Sequence, residues 1–114
     1  MKENLFGVCP YVTTQKLLAG KWSIYILYLL TQEPLRFNEL QRRMPEDMTH
    51  TSLSRQLKQL EKEGLIIRKD YQQIPPKVEY ILSPVGEKFR SVLDEIEVWG
   101  ELYIKQMKEK IDLD

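Results

Sequence analysis

The sequence is short of the residues from which metal sites and most hydrolytic centres are built. It has one cysteine, Cys9, and one histidine, His50, in 114 residues. A lone cysteine excludes an intrachain disulfide and a cysteine-rich zinc site. A lone histidine makes any His-based metal centre or Ser-His-Asp triad depend on that residue alone. The five glycines, Gly7, Gly20, Gly64, Gly86 and Gly100, are too scattered to form a loop that cradles phosphate. No apolar run reaches the roughly 18 residues of a membrane span, and the opening MKENLFGVCPYV lacks the apolar core and cleavage site of a secretory signal. The cytoplasm is the expected location. The carboxylates fall mainly at solvated helix positions, without a convergent pair. No catalytic residue, metal ligand or cofactor is assigned, and an enzyme is not expected.

Net charge is also lacking: 17 Lys and Arg balance 17 Asp and Glu. The distribution is uneven. Residues 1–80 carry 12 basic and 9 acidic side chains, whereas residues 81–114 carry 5 and 8. Contact with phosphates needs a basic face, not a basic whole.

What is present is a string of short helices, a hairpin and a long helix, within the length of one domain. A first helix is expected over 13–18, broken by Gly20. Residues 21–30 are apolar on nearly every side and read as a buried central helix. Phe37, Leu40 and Met44 share one face of a helix over 37–44, which Pro45 stops. Thr49 or Thr51 can cap the next helix, whose Leu53, Leu57 and Leu60 form an apolar stripe ending at Gly64. Residues 65–70 and 78–82 read as strands, joined by a loop over 71–77 in which Pro75-Pro76 forbids strand interior. Ser83-Pro84 then opens a final helix reaching about residue 111.

Two short helices, a tight turn and a hairpin, in that order, describe a winged helix–turn–helix. The fold class is mainly α with a small β-hairpin and a long C-terminal dimerisation helix. Residues 1–20 and 83–114 are expected to serve dimerisation and residues 21–82 to form the winged core. On a wheel of about 100° per residue, the face opposite Leu53 carries Thr51, Arg55, Lys58 and Lys62, flanked by Ser52 and Gln59. Such side chains bond base edges and phosphates. Arg55, Thr51, Ser52 and Gln56 are candidate base readers, with Gln56 least well placed on the wheel. Lys58, Arg36, Lys21 and Lys77 are candidate phosphate contacts, and Lys69 is a further wing lysine. Thr49, His50 and Gln59 complete the candidate surface at the helix N-terminus and flank. The same pattern also describes an ordinary solvated helix face, and the wing an ordinary polar loop.

The final helix has a wide apolar surface, including Phe89, Val92, Ile96, Trp99, Leu102 and Tyr103. It either forms a dimer interface or covers its own core. Cys9 is either a sensor of oxidants or electrophiles or a small buried hydrophobe. Trp22, Tyr25, Tyr28 and Trp99 can line a ligand pocket between the central and last helices, although core packing also explains them.

Read together, these residues resemble the HxlR family of winged-helix regulators. The matching pieces are Cys9-Pro10, Gly20-Lys21-Trp22 followed by Ile26-Leu27, Leu35-Arg36-Phe37-Asn38-Glu39-Leu40, the stretch from Leu53 to Glu61, Gly64-Leu65-Ile66, Pro75-Pro76-Lys77-Val78-Glu79-Tyr80, Leu82-Ser83-Pro84-Val85-Gly86 and Trp99-Gly100. They span almost the whole chain in order. The resemblance implies homodimers that bind double-stranded operator DNA through a pseudo-palindrome and repress or activate nearby genes. It also implies, for several members, sensing of oxidants, quinones or aldehydes at the cysteine matching Cys9. Members with a second cysteine partner differ from this chain, which leaves Cys9–Cys9′ pairing or modification by a small thiol or electrophile. The turn Pro45-Glu46-Asp47-Met48 is more acidic than the glycine-containing turn expected there. A different class of reading is a winged-helix module that binds protein rather than DNA. It would show apolar anchors on the recognition face.

Overall fold

The structure is a computed structural model that describes residues 5–113. Four helices, a two-stranded antiparallel hairpin and two further helices follow one another. Helix α1, Pro10–Leu17, starts earlier than expected because Pro10 takes its first position, where the fixed proline φ suits a helix and no N–H is missed. Helix α2, Ser23–Gln32, ends where Glu33 turns extended before Pro34. Its sides differ more than the sequence suggests. Ile26, Leu27, Leu29 and Leu30 are buried, but Ile24, Tyr25 and Tyr28 are exposed, so the expectation of an all-round buried helix is corrected. The last helix packs along only part of that flank and leaves a groove.

Helix α3, Phe37–Arg42, opens with the Arg36 N–H donating to Glu39 Oε1 at 2.8 Å. It stops short of Met44, since the residue before a proline disfavours the helical region. Met44 is still buried. Helix α4, His50–Lys62, is capped by Thr49, whose Oγ1 accepts from the Ser52 N–H at 3.0 Å. Its C-terminus closes with two bonds, Leu65 N–H to Leu60 O and Gly64 N–H to Glu61 O, both 3.0 Å. That closure needs the left-handed backbone of Gly64, φ +80°.

Strands β1, Ile66–Asp70, and β2, Val78–Leu82, pair from Ile66↔Leu82 to Asp70↔Val78. Leu35 adds a bridge to Tyr80 on the other edge of β2, locking the α2–α3 connection to the hairpin. Ser83 joins the end of α4 to the segment beyond the hairpin: its Oγ donates to Gly64 O at 2.6 Å and accepts from the Gly86 N–H at 3.1 Å. Gly86 is obligatory for packing, because a Cβ there would collide with the Leu65 carbonyl oxygen.

The single final helix expected after Ser83 is in fact two: α5, Pro84–Lys88, and α6, Arg90–Leu113. The break falls at Phe89, whose N–H bonds the Gly86 carbonyl in a tightened last turn while its ring packs on the core. Arg90 then donates to Thr31 O and pairs with Glu87, both at 2.9 Å, fastening α6 to the end of α2. The core gathers α2, α3, α4 and the hairpin around Ile26, Leu27, Leu40, Leu53, Leu57 and Ile66. Beyond Ile96, α6 leaves this core, and residues 101–111 are exposed. None of the described helices is long and apolar enough to cross a membrane.

Candidate nucleic-acid interface

Helix α4 is held by one face only. Leu53, Leu57 and Leu60 are almost wholly buried, and their spacing fixes which side chains point away from the core. Thr51, Ser52, Arg55, Lys58, Gln59 and Lys62 are all exposed. His50, Thr51, Arg55, Lys58, Gln59 and Lys62 surround a shallow hollow of about 400 Å³ on this outer face. No salt bridge engages Arg55 or Lys58 among the described residues, so both cations are available. Hydroxyls and amides alternate with these cations along the outer face.

The start of α4 is braced by α3. The Phe37 ring lies 4.3 Å from the His50 ring, which brings Arg36 and the first turn of α3 beside His50. Gln41 Nε2 donates to Met48 O at 3.2 Å across the intervening turn. Lys21 joins the same region: it lines a cleft of about 450 Å³ together with Ser52, Arg55 and Gln59. The structure therefore gathers Lys21, Arg36, Thr49, His50, Thr51, Ser52, Arg55, Lys58 and Gln59 around one helix.

Two predicted residues are placed differently. Gln56 is half-buried, and its Oε1 accepts from Ser23 Oγ at 3.5 Å. It is turned towards α2 rather than outward. Lys77 is half-buried in the wing, with its Nζ 4.3 Å from the centre of the Tyr71 ring, and Lys69 sits 4.8 Å from the same ring. The Tyr71 hydroxyl donates to Glu79 Oε1 at 2.7 Å. That bond to a carboxylate holds the phenol proton and raises the Tyr71 pKa above the usual 10.0. Tyr71 thus organises both wing lysines, a role its position in a proline-containing loop did not reveal. Ile74, at the hairpin tip, is 99% exposed, another feature that sequence reasoning passed over.

Of the residues expected at a dimer interface, Phe89 and Ile96 pack against the chain's own core. Val92, Trp99, Leu102 and Tyr103 are exposed, Trp99 and Leu102 by 66% and 62%. Trp99 and Tyr103 stack at 5.4 Å. The exposed stripe continues through Ile104, Met107 and Ile111. Cys9 is half-buried at the N-cap position of α1, beside the exposed Val8 and Tyr11. Among the described residues, no group of three or more His, Cys, Asp and Glu is placed to hold a metal.

A buried leucine stripe, a polar outward face on the second helix of a helix pair and a hairpin wing define a winged helix–turn–helix protein that binds DNA. Residues 17–108 match the family described as HxlR-like helix-turn-helix, and the chain belongs to that family. It is 45% identical over 92 residues to BH0655 of Halalkalibacterium halodurans, named an uncharacterized HTH-type transcriptional regulator, with 80% of each chain covered. The structure of the HTH-type transcriptional regulator YtcD matches with a TM-score of 0.79 at 40% identity, over 86% of this chain and 99% of that one. The redox regulator HypR in its reduced form matches with a TM-score of 0.80 at 33% identity, over 88% of this chain and 98% of that one. The protein is a DNA-binding transcription regulator of the HxlR type.

Proposed function

We propose that the chain acts as a homodimer that binds a pseudo-palindromic operator sequence-specifically, with α4 of each copy in a major groove. The observation that carries this reading is the division of α4 into a buried leucine face and an exposed face of Thr51, Ser52, Arg55, Lys58 and Gln59. Arg55 is assigned to a base edge, since a guanidinium can pair two-pronged with guanine. Thr51 and Ser52 lie beside it as further base readers, with Thr49, His50 and Gln59 at the margins of the contact. Lys21, Arg36, Lys58 and Lys77 are assigned to the phosphate backbone. The half-buried Gln56 is assigned an indirect part, holding α4 against α2. The outward face carries no apolar anchor of the kind a protein-binding surface would need.

The dimer is supported by exposed apolar side chains at both ends of the chain. Val8 and Tyr11 stand out of the first 20 residues, and Trp99, Leu102 and Tyr103 out of α6. An exposed surface of that kind marks an interface, and two-fold pairing sets two recognition helices about 34 Å apart. Residues 1–20 and 83–114 are the dimerising segments, and residues 21–82 the DNA-binding core. The function is regulatory, without catalysis, and is exercised in the cytoplasm where the DNA is. Responsiveness to oxidants or electrophiles is assigned to Cys9, in line with the description of HypR as a redox regulator. With no second cysteine in the chain, oxidation of Cys9 ends in a disulfide to Cys9 of another copy or to a small thiol.

Selection from a pool of randomised duplexes tests the reading. The enriched sequences are expected to contain an inverted repeat with half-site centres about one helical turn apart, bound by two chains. Enrichment of no shared sequence, or of a single unrepeated site bound by one chain, would overturn it.

A further inference from the structure

A groove of about 810 Å³ runs between α2 and α6, outside the DNA-binding face. Its α2 side carries Trp22, Tyr25 and Tyr28. The Trp22 and Tyr25 rings meet at a steep angle with centres 6.0 Å apart, and Tyr25 and Tyr28 lie nearly parallel at 6.4 Å. Its α6 side carries Asp94, Glu97 and Glu101. The groove has the size of a small-molecule site. Of its two basic residues, Arg90 is held by Glu87 and the Thr31 carbonyl, and the Lys21 ammonium lies at one end, 5.9 Å from the Trp22 ring. The three carboxylates form no ion pair among the described residues. An aromatic wall faces a wall with an excess of negative charge, three carboxylates against the one unpaired ammonium of Lys21.

That pairing selects a ligand class. Ring faces attract cations, most strongly when the cation is poorly hydrated. A small hydrated metal ion would leave the rings unused, an anion would meet three carboxylates, and a neutral molecule would gain nothing from them. The geometry points to a lipophilic organic cation as the occupant of this groove, and to the groove as an effector site. The route to DNA is short. Lys21 and Trp22 also line the cleft against α4, together with Gly20, Ser23, Arg55 and Gln56. Ser23 Oγ bonds Gln56, and a Cβ at Gly20 would come within 2.6 Å of Gln56 Oε1. The turn that carries Trp22 into the groove therefore also seats the recognition helix. A ligand that prefers one position of this turn shifts DNA affinity, and DNA shifts ligand affinity by the same factor.

The ligand claim stands without DNA; the effector role rests on the operator reading above. Titration calorimetry of the full chain with tetraphenylphosphonium and with tetraphenylborate, ions of one shape and opposite charge, tests the first. The phosphonium is expected to bind at least tenfold more tightly, and the double variant D94N/E97Q, checked for fold by circular dichroism, to lose most of that preference. Equal binding of both ions, no binding of the phosphonium at millimolar concentration, or phosphonium binding that weakens as protein concentration rises would overturn it. The last result would mean that a second copy covers the groove. For the effector role, saturating phosphonium is expected to change affinity for the selected duplex at least threefold, and Ser23→Ala to remove that change while leaving phosphonium binding intact. An unchanged affinity would overturn the effector role alone.

Discussion

Arg55 and Lys58 are one turn apart on α4, both exposed and both cationic, yet they are assigned different tasks. Replacing Arg55 by alanine is expected to cost about 1–3 kcal/mol of operator binding and to relax preference at one base pair per half-site. Replacing Lys58 is expected to weaken binding to all duplexes alike and to reduce the salt slope by about one. Affinity measurements on the selected duplex and its single-base variants at several salt concentrations separate the two. Thr49 acts on the same helix from outside: it bonds the Ser52 N–H, so Thr49→Ala is expected to lower stability by about 1 kcal/mol in urea unfolding. At this scale the sequence was partly legible. It offered Thr49 and Thr51 as alternative caps, and only the backbone at Thr49, extended before His50, decides between them. It also left Gln56 among the base readers, because a helical wheel places a side chain around an axis without knowing that Gly20 and Ser23 lie against it.

Elements were read most securely where periodicity and end signals agreed. Helix α4 has both, a leucine stripe and a threonine-to-glycine span, and the structure matches it closely. Leu57 carries that stripe at its centre, fully buried, so Leu57→Ala is expected to cost about 2–5 kcal/mol of stability. The break between α5 and α6 was not legible, since Phe89 suits a helix locally and departs from it only as its ring meets the core. The aromatic flank of α2 was misread as buried for a related reason: apolar residues all round a helix do not state which neighbour fails to cover them. In the wing, Tyr71 binds the element together through Glu79 and the two lysines. Its raised pKa gives a pH dependence of definite sign. The folded wing holds the phenol proton more tightly than the unfolded chain does, so this contribution is complete below about pH 10 and is lost as pH rises beyond it. Ultraviolet titration of the folded protein is expected to show a phenol ionising above the usual tyrosine value, and Tyr71→Phe to remove that step.

Zero net charge looks unfavourable for a protein that meets DNA, but the fold separates the charges. Basic side chains gather on α4 and the wing, and acidic ones on the side of α6 that faces α2, among them Asp94, Glu97 and Glu101. The apolar stripe on α6 is the whole-molecule counterpart of that separation. Trp99 and Leu102 lie at its centre, and replacing both with aspartate is expected to give a monomer in sedimentation velocity and to lower operator affinity more than tenfold while the winged core remains folded. An excess of apolar residues on the last helix was legible, although the sequence could not say that Phe89 and Ile96 belong to the chain's own core. The outer face of α4 is assigned the reading of sequence. That assignment is tested most directly by binding of the reduced protein and of Arg55→Ala to the selected duplex and to a scrambled duplex across a salt series. The unaltered protein is expected to prefer the selected duplex even at near-physiological salt, and Arg55→Ala to diminish that preference. Equal, steeply salt-dependent binding of both duplexes would show an electrostatic contact only and would contradict the assignment.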